Sequence, residues 1–141
     1  MAEKLSDVLE KEARKALARR DFPLGKGKDT KATVYVPSTR FATPVEKSEF
    51  NERVKSVQRF LTTTFGGTTR ISGYGTYTSE GGQFIGEGIA KVEVFCDYDT
   101  WLEHDQDLER WLRDKKVEWN QESIAFEFQS PKDQHATLHF V

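Results

Sequence analysis

The sequence predicts an α+β protein with a ferredoxin-like βαββαβ core, an antiparallel sheet with two helices on one face. Three observations carry that prediction. A capped amphipathic helix follows the first β-rich run, two long β-rich runs then flank a short glycine loop, and a second helix leads into a cleanly alternating last strand. Strand, helix, strand, strand, helix, strand is the split βαβ order, whose crossovers are right-handed. An extra N-terminal helix and a C-terminal strand complete the expected architecture.

The chain has 141 residues, a length that suits one domain with its own core. We expect residues 1–30 to form an N-terminal helix and basic linker, and residues 31–141 the ferredoxin-like domain. Ser6 to Arg20 reads as the helix, with Ser6 as cap and a thin stripe of Leu5, Leu9, Ala13, Ala16 and Leu17. Arg14, Lys15, Arg19 and Arg20 suit the negative end of its dipole. Phe22 to Asp29 reads as linker, since Pro23, Gly25 and Gly27 break the pattern.

Thr33-Val34-Tyr35-Val36, stopped by Pro37, is the first strand. Thr43-Pro44-Val45-Glu46 looks like a helix start, with Thr43 as cap and Glu46 completing the box. Phe50, Val54, Val57 and Leu61 then recur at helical spacing, and Gly66-Gly67 supplies the stop. Two strands, Thr68 to Thr78 and Gln83 to Asp97, are joined by Ser79-Glu80-Gly81-Gly82 as a hairpin. In the second, Val92, Val94 and Cys96 share one face, while Lys91, Glu93 and Phe95 share the other. Ile89 falls on the wrong parity for the first set, and a bulge near Gly86-Glu87-Gly88 would reconcile it. The second helix starts at Asp99 or Thr100, turns Trp101, Leu108, Trp111 and Leu112 inward, and ends near Lys115-Lys116. Val117 to Gln121 is a connection, Ile124, Phe126 and Phe128 face one way on the last core strand, and Ala136 to Val141 adds a short strand.

Composition excludes several function classes. Residues 1–31 hold nine Lys/Arg against six Asp/Glu, leaving twelve against seventeen for the body, so the globular part is acidic and nucleic-acid binding is disfavoured. No apolar run spans a membrane, and the first residues lack a secretion signal, so the expected location is the cytoplasm. The single cysteine, Cys96, reads as a small buried hydrophobe. His135 and His139 are four apart, and Asp97, Asp99, Glu103, Asp105 and Asp107 form an acid cluster. Trp101 stands where a calcium loop needs an oxygen ligand, so no metal and no cofactor is expected.

Most of the ten glycines fall between Phe65 and Lys91, the mark of hairpin geometry or of a binding surface. Compared with an RNA-recognition strand, Glu87 to Val94 has Ile89, Lys91 and Val94 at the aromatic positions and Glu87 in place of the base, so the stacking platform is missing. Arg70, Tyr74 and Tyr77 on the partner strand offer a cationic and aromatic set able to stack on a planar ligand, and cross-strand packing explains the tyrosines equally well. Glu87, between two glycines on an otherwise apolar strand, is the only candidate for general-base chemistry; a solvated edge carboxylate is the simpler explanation of it. The candidate ligand site is therefore Arg70, Tyr74, Tyr77 and Glu87.

The motifs Phe65-Gly66-Gly67-Thr68-Thr69, Gly73-x-Gly75-x-Tyr77, the strand bearing Glu87 and Gln121-Glu122-Ser123-Ile124 together resemble a group of small prokaryotic and phage proteins with no established activity. The resemblance covers the first strand through Gln121, with Tyr77 where tryptophan is expected. It implies the strand and helix order and no reaction. The favoured functional expectation is a non-catalytic binding module that recognises a partner protein or small ligand through the sheet or the glycine-rich hairpin. The alternatives are a small ferredoxin-like or dimeric-barrel enzyme using acid/base chemistry, and nucleic-acid contact through the basic N-terminal segment. Exposed sheet edges lead us to expect a homodimer.

Overall fold

The computed structural model describes residues 4–21, 27–41 and 43–141. Its elements are α1 (Leu5–Asp21), β1 (Thr30–Pro37), β2 (Thr39–Arg40), β3 (Thr43–Pro44), α2 (Lys47–Phe65), β4 (Thr68–Thr78), β5 (Phe84–Cys96), α3 (Tyr98–Glu118), β6 (Ala125–Gln129) and β7 (Thr137–Phe140). The α+β class is as expected. Five strands form one sheet in the order β4-β5-β1-β6-β7, every neighbouring pair antiparallel. Most of the expected linker, Phe22 to Lys26, lies outside the described residues. Among the described residues no helix is long and apolar enough to cross a membrane.

Strand parity sorts the sheet into two faces. Ala32, Val34 and Val36 of β1 and Ala90, Val92, Val94 and Cys96 of β5 share one side. They form a single buried cluster with Val54, Val57, Leu61 and Phe65 of α2 and with Trp101, Leu108 and Leu112 of α3. Each fully buried aliphatic side chain contributes about 1.5–3 kcal/mol, so this layer dominates the stability. Stacked rings tie the helices and sheet together, Phe65 with Trp101 at 5.5 Å and Trp101 with Phe128 at 4.4 Å. Gly66 stops α2, with φ of 126° and ψ of −162° instead of a left-handed helical conformation, and its N–H bonds back to the carbonyls of Leu61 and Thr62.

Three local expectations are corrected. Thr43 does not cap α2; the helix begins at Lys47 with Glu46 in the cap position, and Thr43–Pro44 instead pairs with Thr39–Arg40 in a two-residue hairpin. Proline fixes φ and disfavours helix in the residue before it, which suits Thr43 to an extended pair. No bulge occurs near Glu87. The β4/β5 register runs unbroken from Thr68↔Val94 to Thr78↔Phe84, so Ile89 lies on the face away from the helices, opposite Gly73 and Pro37. Finally, Val117–Trp119 is not a connection: α3 continues to Glu118, and Trp119 is buried beneath the guanidinium of Arg53, whose carbon lies 5.3 Å from the ring centroid.

Candidate functional site

The sheet face away from α2 and α3 is concave and holds a cavity of about 620 Å³, within the range of small-molecule sites. Its floor is Tyr35 and Pro37 of β1 with Glu87, Ile89 and Lys91 of β5. One wall is β4, where Ile71, Gly73, Gly75 and Tyr77 share this face; the other is Leu138 and Phe140 of β7, with residues 121–125 closing the end. A Cβ on Gly73 would sit 3.3 Å from Ile89 Cγ1, so glycine there lets the isoleucine lie flat against the strand. Ile89 is thus apolar because it floors a cavity on the open face.

Glu87 is half-buried and anchored. Its Oε2 accepts hydrogen bonds from the Ser38 N–H at 3.2 Å and from the Thr39 hydroxyl at 2.7 Å. Those donors sit where β1 turns into β2, a segment that is itself held from below. Arg53 of α2, only 2% exposed, donates from Nη1 to the carbonyls of Pro37 at 2.8 Å and Thr39 at 2.9 Å. The Gln121 amide donates to the same Thr39 carbonyl at 2.6 Å and to the Trp119 carbonyl at 2.9 Å. Glu49 lies 3.7 Å from Arg53 Nη2 and also pairs with Arg40. Burial pushes the Arg53 pKa down and the Glu49 charge opposes that shift, so a cation in the core is balanced by dipoles, a ring face and one carboxylate.

The four residues singled out from the sequence divide two and two. Tyr77 and Glu87 share the cavity face, and burial raises the Tyr77 pKa, aided by the charges of Glu87 and Glu122. Arg70 is on the opposite face, over the Phe50 ring of α2 at 5.8 Å. Tyr74 borders the cavity, but its ring lies against Gly86 on that opposite face, with Cζ 2.9 Å from where a Cβ would be. Tyr35 completes the floor by donating to Glu127 at 2.8 Å beneath Lys91. Thr39 and Arg53 were missed, and Gln121 stood in a motif with no role attached. Arg53 carried a readable signal, since it stands three residues after Phe50 and beside Val54 on the buried stripe of α2. Of the pair His135 and His139, the second stacks on Phe126 at 5.0 Å and contacts Thr137 at 2.7 Å, a packing role.

Neither a protein-family model nor a curated protein sequence matches the chain. Solved structures do. A phage SAM lyase in complex with S-methyl-5′-thioadenosine aligns with a TM-score of 0.59 at 16% identity, covering 82% of this chain and 92% of that one. A phage SAM lyase in the apo state aligns with a TM-score of 0.57 at 18% identity, covering 84% and 93%. The fold is shared with an enzyme. That finding overturns the expectation of a non-catalytic binding module, which rested on the want of a catalytic motif in the sequence. Fold and chemistry separate readily in evolution, so any reaction depends on what the cavity itself presents.

Proposed function

We propose that this protein is a lyase acting on a sulfonium nucleoside of the S-adenosylmethionine type and releasing S-methyl-5′-thioadenosine. The observation that carries the reading is Glu87, a carboxylate held by Ser38 and Thr39 on the floor of an apolar-walled cavity. The enzyme fold and its thioadenosine-bound neighbour supply the substrate class. The β1-α2-β4-β5-α3-β6 order with strands β4-β5-β1-β6 side by side supports reading the core as ferredoxin-like.

The chemistry suits the site. Breaking the bond between the sulfonium sulfur and the four-carbon amino-acid chain leaves the electron pair on sulfur, so the leaving group is a neutral thioether and needs no acid. Positive charge disperses as that bond stretches, which a water-poor cavity favours. Two carboxylates, Glu87 and Glu122, line the cavity against one cation, Lys91, the balance a cationic substrate calls for. Glu87 accepts the proton from the carbon next to the one bonded to sulfur, and that C–H electron pair becomes a C=C bond as the C–S bond breaks, so the four-carbon chain leaves as an unsaturated amino acid beside the neutral thioether.

The test is chromatographic detection of S-methyl-5′-thioadenosine formed from S-adenosylmethionine above the rate of spontaneous decay. The wild-type chain should produce it, and Glu87→Gln should lose roughly 10²-fold or more in kcat/KM while still folding to a cooperatively unfolding state. Wild-type protein that adds nothing to the spontaneous rate would refute the lyase reading.

A further inference from the structure

A second, smaller cavity of about 170 Å³ adjoins the first and shares Tyr77, Gln121 and Glu122 with it. Its outer edge is Phe41, at the tip of the β2–β3 hairpin. Arg40 pairs with Thr43, so the connection has two residues and Phe41 is the first of them. Such connections set φ positive at that position, where glycine, asparagine or aspartate sit without strain. Phe41 has φ of 48°. A bulky residue held there carries a backbone cost, and its ring recovers little by burial, being 72% exposed. The fold alone would be better served by another residue, which points to the ring being kept for something that binds. Asn120, which also lines this cavity at φ of 51°, has an ordinary explanation, because it ends α3 and its N–H bonds to Val117.

The lining chemistry names the ligand class. Two aromatic rings, Phe41 and Tyr77, stand with the amide side chains of Gln83, Asn120 and Gln121. The Gln121 Nε2 is already committed to Thr39 and Trp119, which leaves its carbonyl oxygen as an acceptor. Ring faces with amide donors and acceptors suit a planar heteroaromatic base, whereas an ammonium group would want carboxylates, of which only Glu122 is present. We infer that Phe41 is the stacking platform for the adenine base, seated in the smaller cavity, while the sulfonium and its four-carbon chain occupy the larger cavity beside Glu87. The choice of adenine rests on the lyase reading; the strained, exposed ring and the amide lining do not.

The strain gives the test opposite signs for folding and binding. Phe41→Gly should keep or raise the melting temperature and weaken S-methyl-5′-thioadenosine binding by roughly tenfold or more in calorimetry. Phe41→Tyr should bind within about threefold of wild type. Wild-type affinity in Phe41→Gly, no binding by the wild-type chain, or weakened binding together with a lowered melting temperature would each overturn the inference. Phe41-dependent binding without turnover of S-adenosylmethionine would sustain it and sink the lyase reading alone. Turnover with unchanged affinity in Phe41→Gly would do the reverse.

Discussion

The hydroxyl of Thr39 donates a 2.7 Å hydrogen bond to the carboxylate of Glu87, across 48 positions of sequence. Thr39 is 3% exposed and Glu87 half-buried, so the donor end of the bond is out of water and it fixes the one carboxylate that the sequence singled out. A hydrogen bond to a charged group is worth about 1.5–3 kcal/mol, or roughly 10- to 150-fold in an equilibrium or a rate. Thr39→Val keeps the shape and removes the donor. It should lower kcat/KM by about tenfold or more with the fold intact by circular dichroism, and Thr39→Ser should restore most of it. Equal rates for threonine and valine would show that Ser38 alone positions Glu87.

Strand parity puts Tyr74 and Tyr77 on different faces of the sheet, which predicts different effects on binding. Tyr77→Ala should cut S-methyl-5′-thioadenosine affinity by roughly fivefold or more, because Tyr77 stands on the face shared with both cavities. Tyr74→Ala should leave affinity within about twofold and shift stability by only about 0.2–1 kcal/mol, the scale of a cross-strand contact. Comparable losses of affinity in both variants would contradict this division.

Much of the fold was legible because core positions repeat at fixed intervals: Phe50, Val54, Val57 and Leu61 on α2, and Val92, Val94 and Cys96 on β5. The site was legible only in part. Glu87 stood out through its flanking glycines, whereas Thr39 looks like any strand threonine and acquires its role from a contact between β2 and β5. Ile89 was misjudged for a physical reason: alternation assumes one wet face, and a sheet that floors a cavity is apolar on both sides there. Arg70 and Tyr74 were grouped with Tyr77 because all three belong to β4, yet even and odd positions of one strand point to opposite sides.

Two weak acids, the buried Cys96 and the half-buried Tyr35, make stability fall at high pH. Burial, with the hydrogen bond to Glu127, pushes the Tyr35 phenol from 10.0 up to about 12. Burial, with the Asp97 charge, pushes the Cys96 thiol from 9.0 up to about 11. Each folded pKa is raised, so the native state holds its proton after the unfolded chain has released it. Their stabilising contribution is complete below the unfolded pKa and falls as pH rises, between about 9 and 11 for Cys96 and about 10 and 12 for Tyr35. In urea unfolding at pH 9 and pH 11.5, wild-type protein should lose more stability than Tyr35→Phe. Parallel losses would remove Tyr35 from the account. Native Cys96 should also alkylate far more slowly than the unfolded chain, as a buried thiol does.

The N-terminal helix should be dispensable for folding. Leu5 and Leu9 of its stripe are 73% and 60% exposed, so they add little buried area to the domain. A chain beginning at Gly27 should unfold cooperatively with a melting temperature within a few degrees of the full protein. A broad or absent transition would place α1 in the folding unit.

The uninterrupted β4/β5 ladder sets a limit on how relatives of this chain can vary in length. Glu87 opposes Gly75, and Ala90 opposes Ser72, on alternate sides of one continuous register. Adding or deleting a single residue between Glu87 and Ala90 would turn the carboxylate over to the opposite side of the sheet while Val92 and Val94 stayed in the core. The same change within the Ser79–Gln83 turn would leave it where it is. Insertions and deletions among functional homologues should therefore gather at the turn and leave the four positions from Glu87 to Ala90 constant in number, even where their identities drift.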